Sequence, residues 1–160
     1  MSDFPPQNLP DHLVPGFGIH VRSTSSGRPA YLGVTTIETR SEDERQEIGR
    51  RGPALAAELR SVPGFLGATL FVAGDRMFTV SSWADETGPR LLGERPGPHR
   101  DAVRQVVRDG FTLGGAHSLW RADSVRMLAR CGGCRRINDT STHDRCQSCG
   151  TELPGDWCFL

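Results

Sequence analysis

The sequence predicts an α+β fold, followed by a small metal-binding module. Three observations carry this. Stretches rich in β-formers alternate with helical periodicity in the order strand, helix, strand, strand, helix, strand. A tight-turn signal, Gly74-Asp75, separates two of the strands. Two CxxC pairs are confined to the last thirty residues.

Residues 1–30 are rich in Pro, Gly and Ser and read as an irregular N-terminal arm, with one extended candidate from Phe17 to Arg22. Tyr31 to Thr39 reads as the first strand. Ser41 with Glu44 forms a capping box, after which Ile48, Leu55, Leu59 and Val62 share one helical face. Gly52-Pro53 predicts a break or kink in that helix, and Pro63-Gly64 its end. Phe65 to Ala73 and Arg76 to Trp83 form a hairpin about Gly74-Asp75. A short helix is expected from Asp85 to Gly93. After Pro96-Gly97-Pro98 another begins near His99, with His99, Val103, Val106 and Val107 on its apolar face. Gly110 ends it, and Phe111 to Arg121 supplies the last extended segment.

This order is the signature of the ferredoxin-like split βαβ unit, a four-stranded antiparallel sheet with helices on one face. The other face also carries apolar and aromatic groups, and a second copy of the sheet is its simplest cover. A homodimer is therefore expected. The domain plan is an arm over 1–30, the ferredoxin-like domain over 31–125, and a zinc ribbon with an apolar tail over 126–160.

Composition narrows the partners. The chain has 160 residues, 19 basic and 19 acidic, for a formal net charge of zero. That balance gives no electrostatic reason to expect nucleic acid or an anionic membrane. All the basic residues are Arg, but they are scattered among Asp and Glu, as a codon bias toward Arg would leave them. The N-terminus lacks the charged-then-apolar pattern of a signal peptide, and no apolar run approaches the roughly 18 residues needed to span a bilayer. A cytoplasmic location is expected, where paired cysteines serve as metal ligands more often than as disulfides.

Cys131-Gly132-Gly133-Cys134 and Cys146-Gln147-Ser148-Cys149 are two knuckles separated by eleven residues. Two residues between thiolates let a tight turn aim both sulfurs at one ion, and two such turns complete a tetrahedral site with Zn–S distances of about 2.3 Å. Cys131, Cys134, Cys146 and Cys149 are thus the expected ligands of a structural zinc, with iron in a rubredoxin-like site as the competitor. Four thiolates leave such a site with an excess of two negative charges, which Arg130, Arg135, Arg136 and Arg145 are placed to neutralise. With that excess counted, residues 126–160 carry a net charge near −1. A nucleic-acid-binding ribbon would be basic, so this one reads as structural or protein-binding. A closed four-cysteine site has no open position for substrate. His143 is redundant beside the four cysteines, and Cys158 reads as a small packing residue in the tail Trp157-Cys158-Phe159-Leu160.

Pro63-Gly64-Phe65-Leu66-Gly67, then Phe78 to Trp83, then His99 at a helix start, resemble the antibiotic biosynthesis monooxygenase superfamily over about residues 31–122. The resemblance implies a dimeric α+β barrel. It covers cofactor-independent monooxygenases of electron-rich polycyclic aromatics, haem-degrading and haem-binding relatives, and members without known activity. In the haem-degrading branch the helix His ligates iron and the strand-end Trp lies near the haem, which would assign those roles to His99 and Trp83. The chain departs from that branch in a longer interval between Trp83 and His99, and in the absence of a recognisable distal Asn.

Two functions follow. One is a small oxygenase of secondary metabolism acting on an apolar small molecule, with His99 as general base or as haem ligand, and His99 and Trp83 as catalytic positions. The alternative is a non-catalytic binding or assembly protein that dimerises through its barrel and docks a partner on its ribbon. His99 also suits a satisfied core histidine, and Trp83, Phe65, Phe71 and Phe78 a plain core. His117 and Trp120 are candidates to line a pocket or to pack on the ribbon.

Overall fold

The computed structural model describes residues 16–23, 27–108, 110 and 112–154. Within them the chain runs β1 (Gly16–Arg22), β2 (Tyr31–Glu38), α1 (Glu42–Arg60), β3 (Phe65–Ala73), β4 (Arg76–Trp83), α2 (Thr87–Glu94), α3 (Pro98–Arg108) and β5 (Gly114–Arg121), then a small hairpin of β6 (Leu128–Arg130) and β7 (Ile137–Asp139).

The five larger strands form one antiparallel sheet in the order β1-β3-β4-β2-β5. From β2 to β5 this is the ferredoxin-like arrangement, with the first and third strands of the motif in the centre. The extended candidate in the N-terminal arm is a fifth strand. It pairs with β3 from Gly16↔Ala73 to Arg22↔Gly67, so the sheet has five strands where four were expected.

Half of the predicted capping box forms: Ser41 Oγ accepts the Glu44 N–H at 3.3 Å, but the Glu44 carboxylate reaches past the cap and accepts the Arg40 N–H at 2.7 Å. The break expected at Gly52-Pro53 does not occur, and α1 runs through it. Pro53 and Gly49, whose carbonyl loses its partner, both lie on the exposed face, where water can satisfy that carbonyl.

Side chains alternate between the two faces of the sheet. Val21, Ala68, Trp83 and Tyr31 point to the side where Leu59, Val62 and Leu92 pack, and these residues with Phe65 form the main core. Phe65 and Trp83 meet edge to face with centroids 5.3 Å apart. The opposite face has no helix on it. It presents Leu32, Val34, Phe78 and Val80 half-buried, Phe71 48% exposed and Trp120 62% exposed.

Helix α3 departs from expectation. Val103 and Val107, assigned to its apolar face, are 47% and 75% exposed, while Ala102 and Val106 are half-buried. The helix touches α1 and α2 along a narrow strip instead of lying flat on the sheet.

Candidate functional site

Two regions hold the candidate residues: the C-terminal hairpin, and the first turn of α3 with its surroundings.

In the C-terminal region the four thiols come together. The sulfurs of Cys131, Cys134, Cys146 and Cys149 all lie within 4.8 Å of one another, with Cys131–Cys149 and Cys134–Cys146 each at 3.5 Å. A tetrahedral ion with 2.3 Å ligand bonds needs sulfurs about 3.8 Å apart, so the cluster fits one ion. Each knuckle is built by the same bonds. Cys131 N–H donates to the Arg136 carbonyl and Arg135 N–H to the Cys131 carbonyl. Likewise Cys146 N–H donates to the Thr151 carbonyl and Gly150 N–H to the Cys146 carbonyl, all at 2.8–3.0 Å.

The preceding arginines repeat as well, Arg130 Nη1 donating to the Arg135 carbonyl at 2.7 Å and Arg145 Nη1 to the Gly150 carbonyl at 3.1 Å. These two arginines therefore brace the turns, a specific role beyond balancing charge. Buried Asn138 joins the knuckles, donating to the Arg136 carbonyl and accepting from Gln147 N–H. His143 bonds Gln147 and is not part of the cluster. The Cys149 thiol is drawn down to about 6, chiefly by the Thr151 hydroxyl, while Cys134 is pushed up to about 11 among its neighbouring thiols. Cys158 and the tail from Trp157 lie outside the described residues.

The second region centres on His99 in the first turn of α3. Its Nδ1 is buried without a hydrogen-bond partner. Burial lowers its pKa below the ordinary value. The Glu58 charge and a hydrogen bond to the Leu92 backbone oppose that shift, and His117 adds to it. His117 lies opposite Thr35 on β2, its Nδ1 2.9 Å from Thr35 Oγ1. By strand alternation both project from the same face as Tyr31 and Trp83, the face under the helices. His117 is exposed and Leu119 on the same face is 37% exposed, so this side of the sheet is only partly covered.

Glu58, near the end of α1, escaped the sequence reading. Its buried carboxylate accepts the backbone N–H of His99 at 2.6 Å and pairs with Arg95 at 3.3 Å. A Cβ at Gly97 would collide with that carboxylate.

The other sequence candidates fare differently. Trp83 is 1% exposed, its Nε1 donates to Ser81 Oγ at 2.9 Å, and Phe65 and Gly88 close its flanks. It is a core residue and does not share an open surface with His99. A macrocycle beside Trp83, as the haem branch implies, does not suit such packing. Trp120 lies on the face opposite His117, so these two do not line one pocket; its Nε1 donates to Ser118 Oγ at 2.8 Å. A hollow of about 320 Å³ lies on the helix-free face, lined by Thr36, Glu38, Arg76, Phe78, Gly114 and Gly115, away from His99.

The fold and site define a ferredoxin-like α+β domain joined to a four-cysteine module capable of holding a metal. No protein-family model and no curated protein matches the chain. Among solved structures it is similar to a monooxygenase from the gene ActVA-Orf6 of Streptomyces coelicolor, in complex with the ligand nanaomycin D. The identity is 18% and the TM-score 0.48, over 61% of this chain and 90% of that one. Among the described residues no helix is long and apolar enough to cross a membrane.

Proposed function

We propose that the chain is a small cofactor-free oxygenase acting on an electron-rich aromatic substrate, with its zinc ribbon as a structural appendage. The observation that carries this is His99: a half-buried imidazole whose Nδ1 is enclosed without a hydrogen-bond partner and whose pKa burial lowers, which favours the neutral form. A neutral imidazole with a free lone pair can take a proton from a phenol or an activated CH₂ once α3 shifts to open Nδ1, which is closed to solvent here, to the substrate.

The substrate's conjugate base then reduces dioxygen directly. One oxygen atom stays in the product as CH₂ becomes C=O, and the other leaves as water. The nearby negative charge of Glu58 favours the imidazolium formed at His99, and His117 with Thr35 offers a second polar contact on the sheet side. Trp83 supports the wall from behind and has no chemical step. The apolar, helix-free face is covered by a second copy of the chain, a reading supported by exposed Phe71 and Trp120.

Dioxygen uptake with an anthrone as probe substrate tests the enzyme reading. The expected result is turnover that falls at least about a hundredfold, the low end for removing a general base, in His99→Ala. No turnover above the uncatalysed rate, or turnover indifferent to His99, removes the proposal.

We assign the four-cysteine cluster to zinc, held by Cys131, Cys134, Cys146 and Cys149 with no position open for substrate. The ion there supplies folding energy and no chemistry. Purified protein should contain one zinc per chain and no visible iron–thiolate band. Cys146→Ser should lose the metal and the order of the hairpin. Unchanged zinc content would refute the ligand set.

A second reading, a non-catalytic assembly protein, draws support from Leu128 and Ile137, 57% and 53% exposed on the β6–β7 hairpin. It becomes the better reading if the anthrone assay fails.

A further inference from the structure

We propose that Glu58 is the positioning residue of His99: through one oxygen it fixes the first turn of α3, and through its charge it serves as the counter-ion of a protonated imidazole. This rests on the His99 reading above for its catalytic meaning, but its physical content is independent of any turnover.

The geometry is specific. Glu58 stands two residues from the C-terminal end of α1, a place where a helix dipole disfavours a carboxylate. It is nevertheless almost fully enclosed, its side chain 4% exposed. A buried carboxylate needs partners, and Glu58 has two. Oε2 accepts the His99 N–H at 2.6 Å, at the open N-terminal end of α3, where unpaired N–H groups and the helix dipole favour negative charge. Oε1 accepts from Arg95 Nε at 3.3 Å, in the segment that leads into α3. Arg95 is itself tied to Ser61 Oγ at 2.8 Å. Gly97 leaves the space that the carboxylate fills. One side chain of α1 thus sets where α3 begins, and with it the place of the His99 ring.

The charged groups that act on the His99 ring are Glu58 from α1 and His117 from β5, while Arg95 from the preceding segment pairs with Glu58 itself. Glu58 favours the imidazolium, whereas burial and His117 oppose it. Neutralising Glu58 without changing its shape therefore removes the main electrostatic support for a proton on His99, while Arg95 normally masks part of that support.

The test is an NMR titration of the His99 ring in the full-length zinc-loaded protein, compared among wild type, Glu58→Gln, Glu58→Asp and Arg95→Gln. The expected result is a His99 titration displaced to lower pH in Glu58→Gln, near wild type in Glu58→Asp, and displaced upward in Arg95→Gln. If Glu58→Gln folds and His99 titrates unchanged, Glu58 is only a helix cap and the proposal fails. If Glu58→Gln does not fold, Arg95→Gln decides, and an unmoved titration there overturns it equally. An inactive wild type with displaced titrations would sink the oxygenase reading alone. Where turnover exists, its acid limb should move with the His99 titration in each variant.

Discussion

Arg135 occupies in the first cysteine knuckle the place that Gly150 occupies in the second: both have left-handed backbone, with φ of 63° and 71°. Each donates its N–H to the first cysteine of its own knuckle, Arg135 to Cys131 and Gly150 to Cys146. The glycine adopts this conformation freely, whereas the arginine bears a Cβ penalty of roughly 1 kcal/mol.

Arg135→Gly should therefore stabilise the hairpin by about 1 kcal/mol if that penalty is relieved in full. The brace from Arg130 reaches the backbone carbonyl of residue 135, which the substitution keeps. Competition with a chelator should show slower or weaker zinc loss than in wild type. Faster loss would mean that the Arg135 cation matters more to the anionic site than its backbone strain.

Gly88 tests the packing of Trp83. In a helix interior Gly→Ala usually gains up to about 1 kcal/mol. Here a Cβ at position 88 would lie 2.5 Å from Trp83 Cε3 and 2.6 Å from the Pro63 carbonyl oxygen. One obstacle is a sealed indole and the other is backbone, so neither yields cheaply. Gly88→Ala should cost about 1–3 kcal/mol in urea unfolding, the range for overpacking a core. A stabilised variant would show that α2 stands farther from the sheet.

Much of this could be read in the residues, for identifiable reasons. The hairpin of β3 and β4 was found at its true bounds because Gly74-Asp75 marks the turn locally. The four-cysteine site was legible because CxxC spacing is itself the geometry of a metal knuckle. Strand β1 shows in the sequence as an extended candidate, but its place in the sheet does not, because its partner β3 is about fifty residues away. Glu58 reads as one more charged residue on an amphipathic helix. Only the arrival of α3, forty-one residues later, gives it a role. The opposite facing of His117 and Trp120 was within reach, since an odd interval along a strand always divides two side chains between its faces.

The helix-free face bears on the proposed homodimer. Phe71 on β3 and Trp120 on β5 stand exposed on it, with Phe78 and Val80 on β4 between them. Phe71→Asp should leave the fold intact, because the side chain is already half in water. A carboxylate buried between two sheets would, however, be an unpaired charge. Sedimentation should show a dimer for wild type and a monomer for Phe71→Asp at micromolar concentration. A wild-type monomer would remove the second copy as the cover of this face.

His99 predicts an acid-sensitive fold, and the sign follows from its lowered native pKa. The unfolded chain titrates at the ordinary value of about 6.5, so between that pH and the lower native value it binds more protons than the folded chain. Stability attributable to His99 is therefore intact above about 6.5 and falls as the pH drops through this window. Below the native pKa the loss is complete and levels off. Burial of the ring is the largest cause, and Glu58 limits the loss by opposing it. His99→Gln removes the titrating group while keeping a polar side chain of similar reach. Its melting temperature should fall less than that of wild type between pH 7.5 and pH 5, to be measured by calorimetry on zinc-loaded protein. The zinc content must be checked at each pH, because the cysteine site also responds to acid. Parallel melting curves for the two proteins, at equal zinc content, would mean that the His99 ring is better solvated than its buried Nδ1 indicates.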